Sequence, residues 1–68
     1  MSKQKQLNKA EIQMLKLLMN GMYIKNTAKQ LKLSEYQAYK ISKSIQTKLN
    51  AKNMPNAVFI AYTNNLIK

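Results

Sequence analysis

The chain contains no cysteine, no histidine and no aspartate, and its only carboxylate side chains are Glu11 and Glu35. Without thiols or imidazoles, zinc ligation of the usual kind, disulfide stapling, thiol nucleophiles and imidazole acid–base chemistry are excluded together. Two isolated glutamates give no paired-carboxylate, metal-carboxylate or Ser/His/Asp arrangement. No metal, no cofactor and no enzymatic activity are therefore expected. Arginine is also missing, so all 12 basic residues are lysines. No apolar run approaches the roughly eighteen residues of a membrane span, and the lysine-rich start lacks the apolar stretch of a signal peptide. A cytoplasmic location without membrane contact is the expectation.

What remains is a chain of 68 residues with a net charge of +10 and a hydrophobic fraction of 46%. That apolar content builds a core, but a chain this short makes one domain and buries only about 60% of its unfolded surface. Stability has to come from packing, helped by a second chain if one is present. The excess of positive charge points to a polyanionic partner such as nucleic acid. Abundant Lys, Asn, Gln and Ile hints at an A+T-rich coding genome or a mobile element such as a phage.

Residues 1–6 carry no apolar side chain after the first and read as a flexible basic lead-in, with the folded domain over 7–68. Asn8 and Glu11 have capping-box spacing, so a first helix is predicted to about Asn20. Its apolar set is Ile12, Leu15, Leu18, Met19 and Met22. Gly21 follows as the residue able to take a left-handed conformation. Ile24, Ala28 and Leu31 continue the period in a short second helix that stops near Lys32 and Leu33. Ser34 and Gln37 form the next capping box. They open a third helix to about Asn50, with Ala38, Ile41, Ile45 and Leu49 inward. Pro55 announces a fourth helix carrying Val58, Phe59, Ile60, Ala61, Tyr62, Leu66 and Ile67. The fold class is all-α, four short helices, with a tight turn joining the second and third into a helix-turn-helix. Ala28 allows a close helix crossing and Leu33 plugs the turn. Lys32 stands where glycine is usual, so either the backbone avoids the left-handed region or it accepts roughly 1 kcal/mol of strain.

From Leu7 to Ile67 the chain resembles the LuxR-type (spore-germination-regulator-type) DNA-binding domain, without a gap. The matching residues include Leu7, Glu11, Met14-Leu15, Leu17-Leu18, Gly21, Lys25, Ala28, Leu31, Leu33-Ser34, Ile45, Lys48-Leu49, Ala57-Val58 and Leu66-Ile67. Most are apolar positions that set the fold. The resemblance implies a transcription regulator that places its third helix in the major groove and dimerises through its fourth; a standalone domain without a sensory domain is the expectation for this chain. The family's Thr-Val-Lys, followed two residues later by His, is replaced here by Gln37-Ala38-Tyr39 and Ile41, and its later Arg by Met54.

On a helical wheel the side of the third helix opposite Ala38 carries Tyr36, Lys40, Lys43 and Thr47, flanked by Gln37 and Ser44. One aromatic, two cations and several hydrogen-bonding groups suit a helix that reads groove edges and phosphates; a plainly solvated face has a similar composition. Gln37 has the donor and acceptor for an adenine edge, and Lys40 or Lys43 for guanine acceptors or phosphates. Lys25, Lys29 and Lys48 are candidate phosphate contacts, and Lys3, Lys5 and Lys9 a loose basic arm. Without arginine, modest specificity or a leaning towards A·T-rich DNA shape is expected. Tyr23 is expected to pack at the start of the second helix and Tyr39 along a helix–helix edge. Both glutamates are assigned to helix starts, where the dipole favours negative charge. The apolar residues of the fourth helix spread around its circumference, so Phe59, Tyr62 and Leu66 are assigned to a homodimer interface. The competing function is a protein-binding module on the same scaffold that modulates another regulator, as a phage or plasmid antagonist does.

Overall fold

The computed structural model describes residues 7–67; the lead-in assigned to residues 1–6 lies outside them. Four helices follow in order, α1 (Lys9–Met19), α2 (Ile24–Gln30), α3 (Glu35–Leu49) and α4 (Met54–Thr63), with no strand among the described residues. α1 packs on all three others, α3 packs on α2 and α4, and α2 and α4 do not pack on each other. The third helix is thereby braced from behind by the rest of the molecule, leaving its opposite side to solvent.

Both capping boxes predicted from the sequence form. Asn8 accepts the Glu11 amide while the Glu11 carboxylate accepts the Asn8 amide, each at 2.8 Å. Ser34 and Gln37 close the second capping box, the Gln37 amide donating to Ser34 Oγ at 3.0 Å and the Ser34 amide to Gln37 Oε1 at 3.1 Å. α4 is capped by Asn53, which accepts the Asn56 amide at 2.8 Å, with Pro55 in the first turn where its missing N–H is no loss.

The helix ends share a device that glycine marks at only one of them. Met22 donates back to Leu17, Leu33 to Ala28, Ala51 to Gln46 and Leu66 to Ala61, each the six-to-one bond of a Schellman motif. The left-handed residues that permit these turns are Gly21 (φ 94°), Lys32 (φ 61°), Asn50 (φ 55°) and Asn65 (φ 61°). At Lys32 the backbone therefore takes the left-handed region and carries the strain of a β-carbon there. The last motif ends α4 at Thr63, so Leu66 and Ile67, expected on the fourth helix, lie past it; Ile67 folds back to be 3% exposed.

Met14, Leu15, Ala28, Ala38, Ile45, Ala57 and Ala61 are buried, with Leu49, Met54 and Ile67 sealing the edges. Four of these are alanines, which let the helix backbones approach closely in a core with little volume to fill. Two expectations for the core are corrected. Met14 belongs to the fully buried set, whereas Ile12, Leu18 and Met19 only pack around it. On α3 the inner stripe is Ala38, Ser42, Ile45 and Leu49, and Ile41 is half-buried. Ser42 tolerates burial because its hydroxyl donates to the Tyr39 carbonyl at 2.7 Å, as Thr27 does to Ile24 at 2.7 Å.

Candidate nucleic-acid interface

The outward side of α3 is set by what the inward side buries. With Ala38, Ile45 and Leu49 in the core, the 100° step per residue turns Tyr36, Lys40, Lys43 and Thr47 outward, and all four are exposed. Tyr39 joins them. Expected along a helix–helix edge, it is 55% exposed, because it sits a full quarter-turn from Ala38 towards the outer side. Tyr23, expected to pack at the start of α2, occupies the N-cap position of that helix without a side-chain cap bond and is 78% exposed.

Two tyrosine–lysine pairs organise this face. Lys40 Nζ lies 5.6 Å from the centre of the Tyr36 ring, and Lys43 Nζ lies 5.3 Å from that of Tyr39. Both pairs have the four-residue spacing that stacks side chains along a helix, and both distances are within cation–π range. Tyr39 was missed in the sequence because only the inner stripe fixed the wheel; the repeat of Tyr-x-x-x-Lys at Tyr36 and Tyr39 was the available signal.

The flanks of the same helix are engaged inside the molecule. Glu11, on α1, is almost wholly buried and accepts Ser44 Oγ at 2.7 Å and Lys48 Nζ at 2.8 Å in addition to the Asn8 amide. Burial raises the Glu11 pKa, but the hydrogen bonds from Lys48, the Asn8 backbone and Ser44, with the Lys48 charge, outweigh it and hold the carboxyl below its ordinary value. Ser44 and Lys48, assigned to DNA from the sequence, thus lock α3 onto α1. Gln37 directs its Oε1 into the Ser34 cap. Glu11 does more than mark a helix start: it ties the third helix in place.

Lys25 and Lys29 are exposed on α2, the helix that packs directly against α3. Nine lysines fall within the described residues, and all except Lys48 are exposed; the only exposed glutamate is Glu35. The charge on the described surface is therefore almost all positive. On α4 and in the turn after it, Phe59 is 63%, Tyr62 57% and Leu66 37% exposed. Phe59 and Tyr62 border an apolar hollow with Met19 and Val58, which also line a cleft of about 530 Å³ between the end of α1 and the starts of α2 and α4.

Residues 5–61 match the family model described as bacterial regulatory proteins, luxR family. The chain belongs to that family, whose helix-turn-helix domain is DNA-binding and regulatory, not enzymatic. No curated protein matches the chain. Among the described residues no helix is long and apolar enough to cross a membrane.

Proposed function

We propose that this protein is a cytoplasmic transcription regulator that places α3 in the major groove of duplex DNA and acts as a homodimer through α4. The observation that carries the proposal is the exposed side of α3, where Tyr36, Tyr39, Lys40, Lys43 and Thr47 stand opposite a buried stripe on the second helix of a helix-turn-helix pair. Lys25 and Lys29 on the adjoining helix reach for phosphates. Ser44 and Lys48 act through Glu11, fixing the angle at which α3 is presented. Gln37 holds the start of α3 in register through its cap. Phe59, Tyr62 and Leu66 supply the apolar contact between copies.

Retardation of duplex DNA, with a specific fragment outcompeting bulk competitor, is the direct test. Binding should fall steeply with salt, because neutralising about eight phosphates gives a log–log slope near about −7. Lys40→Ala and Lys43→Ala should each flatten that slope by about one unit. An interaction indifferent to salt and to both changes would instead support a protein-binding module that modulates another regulator. The exposure of Tyr36 and Tyr39 at the head of α3 favours that second function.

A further inference from the structure

If α3 lies in the major groove, as proposed above, the groups left on its outer face decide which bases it can tell apart. Guanine is most often read by a bidentate arginine fork, and the chain has no arginine. Adenine is read by the amide of Asn or Gln, yet the one such side chain beside the outer face near the start of α3, Gln37, has its oxygen in the Ser34 cap. Ser44 and Lys48 are held by Glu11. Lys40 and Lys43 each offer a point charge that phosphates and guanine acceptors take alike.

Thr47 stands in the last turn of α3, away from the end presented to base edges, so the distinctive chemistry that remains at the N-terminal end is aromatic. Tyr36 and Tyr39 lie at the N-terminal end of α3, the end that a helix-turn-helix presents to base edges, and they are 70% and 55% exposed. They sit three residues apart on one face, about 4.5 Å along the axis. Each ring has a lysine ammonium over it, which steadies the ring while more than half of the residue stays exposed. In the major groove the only apolar group on any base edge is the C5-methyl of thymine.

We infer that Tyr36 and Tyr39 read thymine by packing their rings against its methyl group, so that the operator is specified chiefly at A·T pairs. Lys40 and Lys43 supply the affinity from the same face, and the rings supply the discrimination. Tyrosine hydroxyls are not needed for this contact; the rings are.

The test begins by enriching duplexes from a random pool with the full chain, then replacing each thymine of one tight-binding duplex singly by deoxyuridine, which removes only the methyl. At one or two positions in each half-site binding should weaken about fourfold, the ratio expected from burying one methyl group. Tyr36→Ala and Tyr39→Ala should each abolish the penalty at its own position, while Tyr36→Phe and Tyr39→Phe should retain it. Both side chains are exposed, so unchanged helical circular dichroism is expected in all four variants. Uniform tolerance of deoxyuridine, or a penalty that survives both alanine changes, would overturn the tyrosine inference while leaving DNA binding intact. If no duplex is retained even at low salt, the placement of α3 in the groove fails and the inference falls with it.

Discussion

Glu11 shows how one side chain can serve two helices. Its backbone and Oε1 complete the α1 cap, and the same carboxylate accepts Ser44 and Lys48 from α3. A buried carboxylate without such partners would protonate or leave the core; with them it stays charged. Because the folded-state pKa is held below the unfolded value, the stabilisation is present above the ordinary glutamate range, about 4.3, and is lost as pH falls through the folded-state pKa. Glu11→Gln keeps the shape but removes the charge that Lys48 and Ser44 bond. At neutral pH it should cost on the order of 2 kcal/mol. Thermal melts across the acid range should show it: the wild type loses stability as the pH falls below the ordinary glutamate range, and the variant loses less because it has already lost that contribution. A wild-type melting temperature that is flat in acid would show that the tie is not formed.

At the scale of elements, three of the four helices begin with side-chain signals, α2 starts at Tyr23 without one, and all four end with backbone turns; the two kinds of end differ in how far the sequence reveals them. Asn8, Ser34 and Pro55 are legible because a cap is a local event within four residues. The left-handed ends are less so: Asn50 and Asn65 are residues that tolerate that region but stand in many other places too, and at Lys32 the turn is imposed by where the chain must go next and a lysine is accepted there at a cost. Lys32→Gly should therefore stabilise the domain by about 1 kcal/mol, and Gly21→Ala should destabilise it by about the same amount. A β-carbon on Gly21 would meet only open space, so the loss comes from the backbone at φ +94° alone. Lys32→Ala controls for the removed charge, because it keeps the strain. Equal melting temperatures for Lys32→Gly and Lys32→Ala would refute the strain at that turn. The same contrast explains the interface. The inner stripe of α3 was legible from its period, which placed Tyr36, Lys40, Lys43 and Thr47 outward. The engagement of Ser44 and Lys48 was not, because their partner lies 33 and 37 residues away in the chain.

For the whole molecule, a net charge of +10 acts against pairing of two copies and in favour of pairing on DNA. The apolar side formed by Phe59 and Tyr62 is too exposed to be needed for the fold of one chain, so a charge placed there should separate copies without unfolding either. Phe59→Glu is the cleaner variant, because Leu66 takes part in the turn that ends α4. A carboxylate forced into an apolar contact without a partner costs several kcal/mol, enough to shift a dimer to monomers. Two half-sites held together bind far more tightly than one, so the monomeric variant should lose specific DNA binding although its α3 is untouched. Sedimentation separates the contributions. Raising salt screens the repulsion between copies and should strengthen the free dimer, while the same salt weakens the complex with DNA. A wild type that stays monomeric at every salt concentration and also sediments as a single copy on its DNA would remove α4 from the dimer interface. So would a Phe59→Glu variant that binds DNA as tightly as the wild type.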